Sequence, residues 1–72
     1  MAAEMIQVES SNIEAVGYDP ERHVLTVQFR NGSTYEYEEV PSSKHQDLMA
    51  ADSKGGFLNK EIKGSHSYRK IG

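Results

Sequence analysis

Seventy-two residues with a net charge of −3 make one small domain, and a chain of this length buries only about 60% of its unfolded surface. The absence of cysteine excludes disulfides, thiolate catalysis and the common structural zinc sites. His23, His45 and His66 are scattered without an H-E-x-x-H pattern, so no metal site and no cofactor is expected.

Residues 1–9 show no clear period and read as a flexible N-terminal segment, apart from Ile6 and Val8, which suit a strand extension or a packed terminus. Met1 to Ile6 carries neither a basic region nor a long apolar run, so no signal peptide or membrane span is expected and the expected location is the cytoplasm. Residues 10–71 read as a single domain. Ser11 to Tyr18 is the first expected strand, ended by the turn starter Asp19-Pro20. Ile13 and Ala15 are expected on its inner face, where small residues let a helix approach closely.

Leu25 to Tyr37 spells out a β-hairpin. Leu25, Val27 and Phe29 alternate before Asn31-Gly32, and Tyr35 and Tyr37 alternate after it, the period of strands with one buried face. A two-residue Asn31-Gly32 loop pairs Gln28 with Tyr35 and puts both tyrosines on the polar face. A three-residue loop, Arg30-Asn31-Gly32 with Gly32 left-handed, pairs Val27 with Tyr35 and Leu25 with Tyr37. All five apolar side chains then share one face, so burial favours the second register. The strands at about 24–30 and 34–39 complete a three-stranded antiparallel meander, with Glu36 and Glu38 outward.

Val40-Pro41 closes the sheet. Ser43 and Gln46 have capping-box spacing, so a short helix is expected from Ser42-Ser43 to near Asp52, with His45, Leu48, Met49 and Ala51 or Asp52 inward. After Ser53-Lys54-Gly55-Gly56, a second helical stretch from Phe57 to Lys63 should turn Phe57, Leu58 and Ile62 inward and Lys60 and Lys63 to water; Gly64 ends it. The tail from Ser65 to Gly72 suits a sheet edge or a mobile end. The expected fold class is α+β: a three-stranded meander with one or two short C-terminal helices packed on one face.

Residues that can carry chemistry are few. Ser53, Lys54, Gly55 and Gly56 form a candidate anion site, because backbone N–H groups at a helix start beside an ammonium suit a phosphate or carboxylate; a capped helix connection explains the same residues. The segment is no P-loop, since it lacks the first glycine and the hydroxyl after the lysine. Ser53 and Lys54 are adjacent and point apart, and Glu36 with Glu38 reads as a solubilising row, so no catalytic residue and no enzyme is expected. Charge is divided along the chain: residues 1–40 hold two basic and eight acidic side chains, residues 41–72 six basic and three acidic. Lys54, Lys60, Lys63, Arg69 and Lys70 can touch phosphates while Tyr68 or His66 stacks on a base, the combination single-strand binders use.

A family resemblance joins these segments. Ser11-Asn12-Ile13 leading to Gly17-Tyr18-Asp19, then Leu25-x-Val27-x-Phe29-x-x-Gly32-x-x-Tyr35-x-Tyr37-x-x-Val40-Pro41, then Ser53-Lys54-Gly55-x-Phe57-x-Asn59-x-x-Ile62-Lys63 resembles the KTSC domain. That module is named from the C-terminus of some lysyl-tRNA synthetases and also occurs as a stand-alone protein, the form expected here. The chain departs from the family pattern at His45 and His66, where an aromatic is common, and at Ser67, where proline is common, which weighs against stacking at those positions. By association with a synthetase, the resemblance implies a small non-catalytic module binding tRNA or another structured RNA. The alternative is a protein-interaction module, including a homodimer, using a free sheet edge and the acidic strand face.

Overall fold

The computed structural model describes residues 4–72; of the N-terminal segment expected to be flexible, residues 1–3 lie outside the described residues. The architecture is α+β, with a five-stranded antiparallel sheet of order β1-β2-β3-β4-β5: β1 Ile6–Gln7, β2 Ile13–Asp19, β3 Val24–Phe29, β4 Thr34–Tyr37 and β5 Tyr68–Lys70. The three expected strands form its centre, so the expected count is corrected from three to five. Both added strands are edges of two and three residues, too short to display the period of two by which a strand is read.

The β3–β4 turn takes the three-residue form. The Phe29 N–H donates to Ser33 O at 2.8 Å and the Gly32 N–H to Phe29 O at 3.0 Å, while Gly32 sits at φ +96°, the left-handed torsion this loop needs. Val27 therefore faces Tyr35, and Leu25 faces Tyr37. The Asn31 side chain supports the turn by accepting the Ser33 N–H at 2.9 Å.

Strand β2 departs from a simple alternation. Ile13 pairs with Phe29 but Ala15 with Gln28, so two steps on β2 match one on β3 and Glu14 is the extra residue of a bulge. The bulge moves Ile13 into the row of Val16, which faces Val27, and of Tyr18, which faces Leu25. The expectation that Ile13 and Ala15 share the inner face is thus corrected: Ile13 and Val16 belong to the core, whereas Ala15, though 4% exposed, stands outside the core cluster. At the end of β2, Asp19 accepts the Glu21 and Arg22 N–H groups at 3.0 and 3.3 Å, as the Asp-Pro signal leads one to expect.

Helix α1 spans Ser42–Ala50, with Pro41 at its N-cap (φ −69°, ψ 154°) and no side-chain cap. The Pro41 carbonyl accepts from Lys44 and His45 N–H; the expected Ser43 cap is not formed, and the proline ring fixes φ at the helix entry instead. The helix stops at Ala50, short of Asp52. Helix α2, Lys54–Phe57, is capped by Ser53, whose Oγ accepts the Gly56 N–H at 3.2 Å, and it runs into a π-helical turn, Leu58–Ile62. The core lies between these helices and one sheet face: Ile13, Val16, Leu25, Val27, Tyr37, Val40, Leu48, Leu58 and Ile62 are all essentially inaccessible.

Tyr18 ties α1 to the sheet. Its hydroxyl donates to Val40 O at 2.5 Å, and its ring stacks on His45 with centroids 4.7 Å apart and planes 9° from parallel. Burial lowers the His45 imidazole from its ordinary value and raises the Tyr18 hydroxyl.

This packing leads to two expected outcomes. Gly32→Ala meets no neighbouring atom but must hold a left-handed torsion, so it should cost about 1–2 kcal/mol; Gly64→Ala, with open space and no such torsion, should stay within about 0.5 kcal/mol of the parent. Urea titrations with unchanged slopes check the pair, and equal losses at both sites would refute the turn assignment. Burial disfavours the charged form of His45 in the fold, and the imidazole gains its proton more readily when unfolded, so its contribution to stability should be complete above the ordinary histidine value of about 6.5 and decline as pH falls below it. His45→Phe, which keeps the stack, should remove that decline from the pH dependence of the urea midpoint.

Candidate nucleic-acid interface

The hairpin register decides which side chains share the helix-covered face. Directly opposed residues in antiparallel strands lie on the same face, so Val16, Val27, Tyr35 and Lys70 form one row, and Tyr18, Leu25, Tyr37 and Tyr68 another. Gly17, Thr26, Glu36 and Arg69 form a row on the opposite face. Cover on the first face falls off toward the edge strand: Tyr37 is 1% exposed and Tyr35 and Phe29 are half-buried, whereas Tyr68 on the edge strand is 60% exposed.

The uncovered part is a continuous aromatic surface. Phe29 and Tyr35 meet edge to face with centroids 5.7 Å apart, and Tyr35 and Tyr68 do so at 5.8 Å. Tyr37 lies beneath, 5.8 Å from Tyr68; burial first, then the neighbouring Tyr35 and Tyr68 hydroxyls, push its own hydroxyl up from its ordinary value, so it stays neutral. Two cations border the surface. Lys63 Nζ lies 5.9 Å from the Phe29 ring centroid, within cation–π range, and Lys70 faces Tyr35 across the β4–β5 ladder. The π-helical turn sets the position of Lys63, whose N–H donates to Leu58 O at 2.8 Å over five residues; the extra residue in that loop rotates the chain beyond it.

The structure thus brings Lys63, Tyr68 and Lys70 together and separates them from the other expected contacts. Lys60 is exposed to water on the π-helical turn. Lys54 turns its ammonium onto Ala51 O at 3.2 Å, closing the end of α1. Arg69 lies on the opposite face, paired with Glu36 at 2.9 Å. In the candidate anion segment, Ser53 Oγ and O already accept the Gly56 and Phe57 N–H groups, and Gly55 is buried against Asn12. The local geometry of Ser53, Lys54, Gly55 and Gly56 is that of a cap and a close approach. His66 accepts from Lys44 Nζ at 2.9 Å through Nε2 and donates through Nδ1 to Glu38 O at 3.1 Å, so it braces the link between α1 and the strand ends.

Phe29 is not expected at the surface from the sequence, and Tyr35 only in the two-residue register that the structure does not adopt. Their alternation signals a buried face, and only the reach of the helices shows where that face emerges. A cleft beside Phe29, with Asn12, Arg30, Asn59 and Lys63 among its lining, was equally hidden, because its parts come from three separated segments. Among the described residues no group of three or more His, Cys, Asp or Glu side chains is placed to hold a metal ion, and no helix is long and apolar enough to cross a membrane.

Comparison with known proteins places this geometry. A protein of Tsukamurella paurometabola is 51% identical over 59 residues, covering 82% of this chain and 88% of that protein. A lysine–tRNA ligase of Nostoc sp. is 38% identical over 71 residues, which are 99% of this chain but 13% of the ligase. The crystal structure of a KTSC domain protein from Yersinia pestis superposes with a TM-score of 0.94 at 46% identity, covering 99% of this chain and 100% of that one. The KTSC domain family model itself matches residues 9–68. The chain belongs to the KTSC domain family.

Proposed function

We propose that this protein is a non-catalytic module that binds single-stranded segments of RNA on the aromatic surface of Phe29, Tyr35 and Tyr68, with Lys63 and Lys70 on the phosphates and Lys60 as an outer contact. The carrying observation is the 60% exposure of Tyr68 on a ring cluster bordered by two lysines. Aromatic platforms with flanking cations bind single strands because every base has a face to stack, at about 1–3 kcal/mol per base. Charge placement supports the reading. Glu36 lies on the face away from the platform, where it pairs with Arg69, so that carboxylate does not confront the phosphates. The occurrence of a similar segment in lysine–tRNA ligases makes tRNA a natural first probe.

The competing reading, a protein partner or a second copy at a free sheet edge, has less behind it. Both edges are short, β1 with two residues and β5 with three, and short edges are how sheets avoid pairing with other chains.

Fluorescence anisotropy with labelled tRNA and a mixed-sequence single-stranded RNA at several salt concentrations checks the proposal. Tyr68→Ala should weaken binding by about 1–3 kcal/mol. Changing Lys63 and Lys70 together to Ala should reduce the slope of log affinity against log salt by about 1.4, at roughly 0.7 per phosphate contact. Lys54→Ala should leave affinity unchanged, because its ammonium serves the end of α1. No binding at low salt, or full binding by the Tyr68 and double-lysine variants, would overturn the assignment; a concentration-dependent dimer in sedimentation would then favour the edge reading.

A further inference from the structure

Between the start of β2, the β3–β4 turn and α2 with its π-helical extension lies an open cleft of about 520 Å³, a size within the roughly 300–1,000 Å³ of small-ligand sites. It presents Asn12, Arg30, Asn31, Asn59 and Lys63 together with the Phe29 ring, and none of its lining residues is acidic, although acidic residues outnumber basic ones 11 to 8 in the chain. Part of this polar lining is already engaged. Asn31 accepts the Ser33 N–H, and Arg30 donates from Nε to Ser10 O at 2.7 Å and from Nη1 to Glu14 at 3.5 Å, leaving Lys63 the cation without a carboxylate beside it among the described residues.

The carboxamides of Asn12 and Asn59 are different. Among the described residues neither makes a side-chain hydrogen bond. Both are exposed, and Asn12 lies close against α2: a Cβ on Gly55 would come within 3.3 Å of its Nδ2, so the missing side chain at Gly55 leaves room for this carboxamide. Asn59 lies on the π-helical turn that also directs Lys63.

We infer that the cleft binds one nucleotide unit, with the Asn12 and Asn59 carboxamides on the edge of the base and Lys63 on the phosphate. A carboxamide offers a donor and an acceptor in one plane and so matches the paired donor and acceptor on a base edge. A simple carboxylate or phosphate would satisfy the cation and can accept from a carboxamide NH₂, but it offers no donor to either carboxamide oxygen. Phe29 and Lys63 belong to the cleft and to the aromatic platform alike, so a strand lying across Tyr35 and Tyr68 can place its next nucleotide here. The nucleotide has two possible sources, a unit of bound RNA or a free nucleoside monophosphate. The first rests on the proposed function; the second does not.

The test is a set of ¹H–¹⁵N NMR titrations of the full chain with each of the four ribonucleoside 5′-monophosphates, a short single-stranded RNA and inorganic phosphate. The side-chain NH₂ signals of Asn12 and Asn59 should shift with a nucleotide or with the RNA, and far less with inorganic phosphate. Asn59→Ala should weaken that same ligand about fivefold to tenfold, as for loss of one hydrogen bond of about 1 kcal/mol, with the spectrum of the free variant otherwise preserved. A response to RNA alone assigns the strand as source, and a response to monophosphate alone assigns the free nucleotide. Static carboxamide signals with every nucleotide and with RNA, or unchanged affinity in both Asn12→Ala and Asn59→Ala, overturn the inference. RNA binding that depends on Tyr68 but not on the two asparagines would do so while leaving the platform intact.

Discussion

The arrangement of side chains in this domain hangs on one backbone torsion, the left-handed φ of +96° at Gly32. With Gly32 left-handed after a type I turn, the loop takes three residues, and Tyr35 and Tyr37 fall opposite Val27 and Leu25. A two-residue loop would shift β4 by one position and exchange its faces. Glu36 would then be driven under the helices and Tyr37 into water, and β5, which pairs with β4 through Tyr68 and Arg69, would carry the same exchange to the edge. One torsion therefore separates an aromatic face from an acidic one across two strands.

This register was legible because hydrophobic burial and turn chemistry agree on it. The five alternating apolar residues from Leu25 to Tyr37 identify the face, and Asn31-Gly32 locates the turn. Strand β2 shows the converse. Ile13 and Ala15 look like one row by alternation, but the bulge at Glu14 breaks the period and brings Ile13 and Val16 together. Nothing local in Ile13-Glu14-Ala15-Val16 announces the bulge; it arises because burying both β-branched side chains is worth more than one unpaired residue on the ladder. Tyr18 then joins the Val16 row and meets His45, a contact across 27 positions that only packing can specify.

The helical region was legible in composition and obscure in geometry. Leu48, Leu58 and Ile62 are recognisable as core residues, and all three are at most 1% exposed. The π-helical turn that carries Leu58 and Ile62 has no mark in the sequence, because Leu-Asn-Lys-Glu-Ile is an ordinary helical pattern. Its effect on the surface is large all the same. The wider loop brings Lys63 above Phe29 while Ile62 remains at 0% exposure, so one distortion serves the core and orients a cation. At Ser53, the capping function of the hydroxyl and the close approach of Gly55 to Asn12 account for a segment whose composition also resembles an anion site.

Charge is where the linear and folded descriptions differ most. The basic excess of residues 41–72 suggests one cationic pole, yet strand alternation divides adjacent residues between faces: Arg69 lies over Glu36 while Tyr68 and Lys70 face the platform. Lys54 closes α1, and Lys44 engages His66. Of six basic residues after position 40, three are committed to partners within the protein and Lys63 rests on an aromatic ring. What distinguishes the platform is therefore the position of Lys63 and Lys70 beside its rings rather than a high density of cations. Surface ion pairs are worth little in themselves, about 0–1 kcal/mol, and the Arg69–Glu36 pair matters chiefly because it keeps both charges together on the far face.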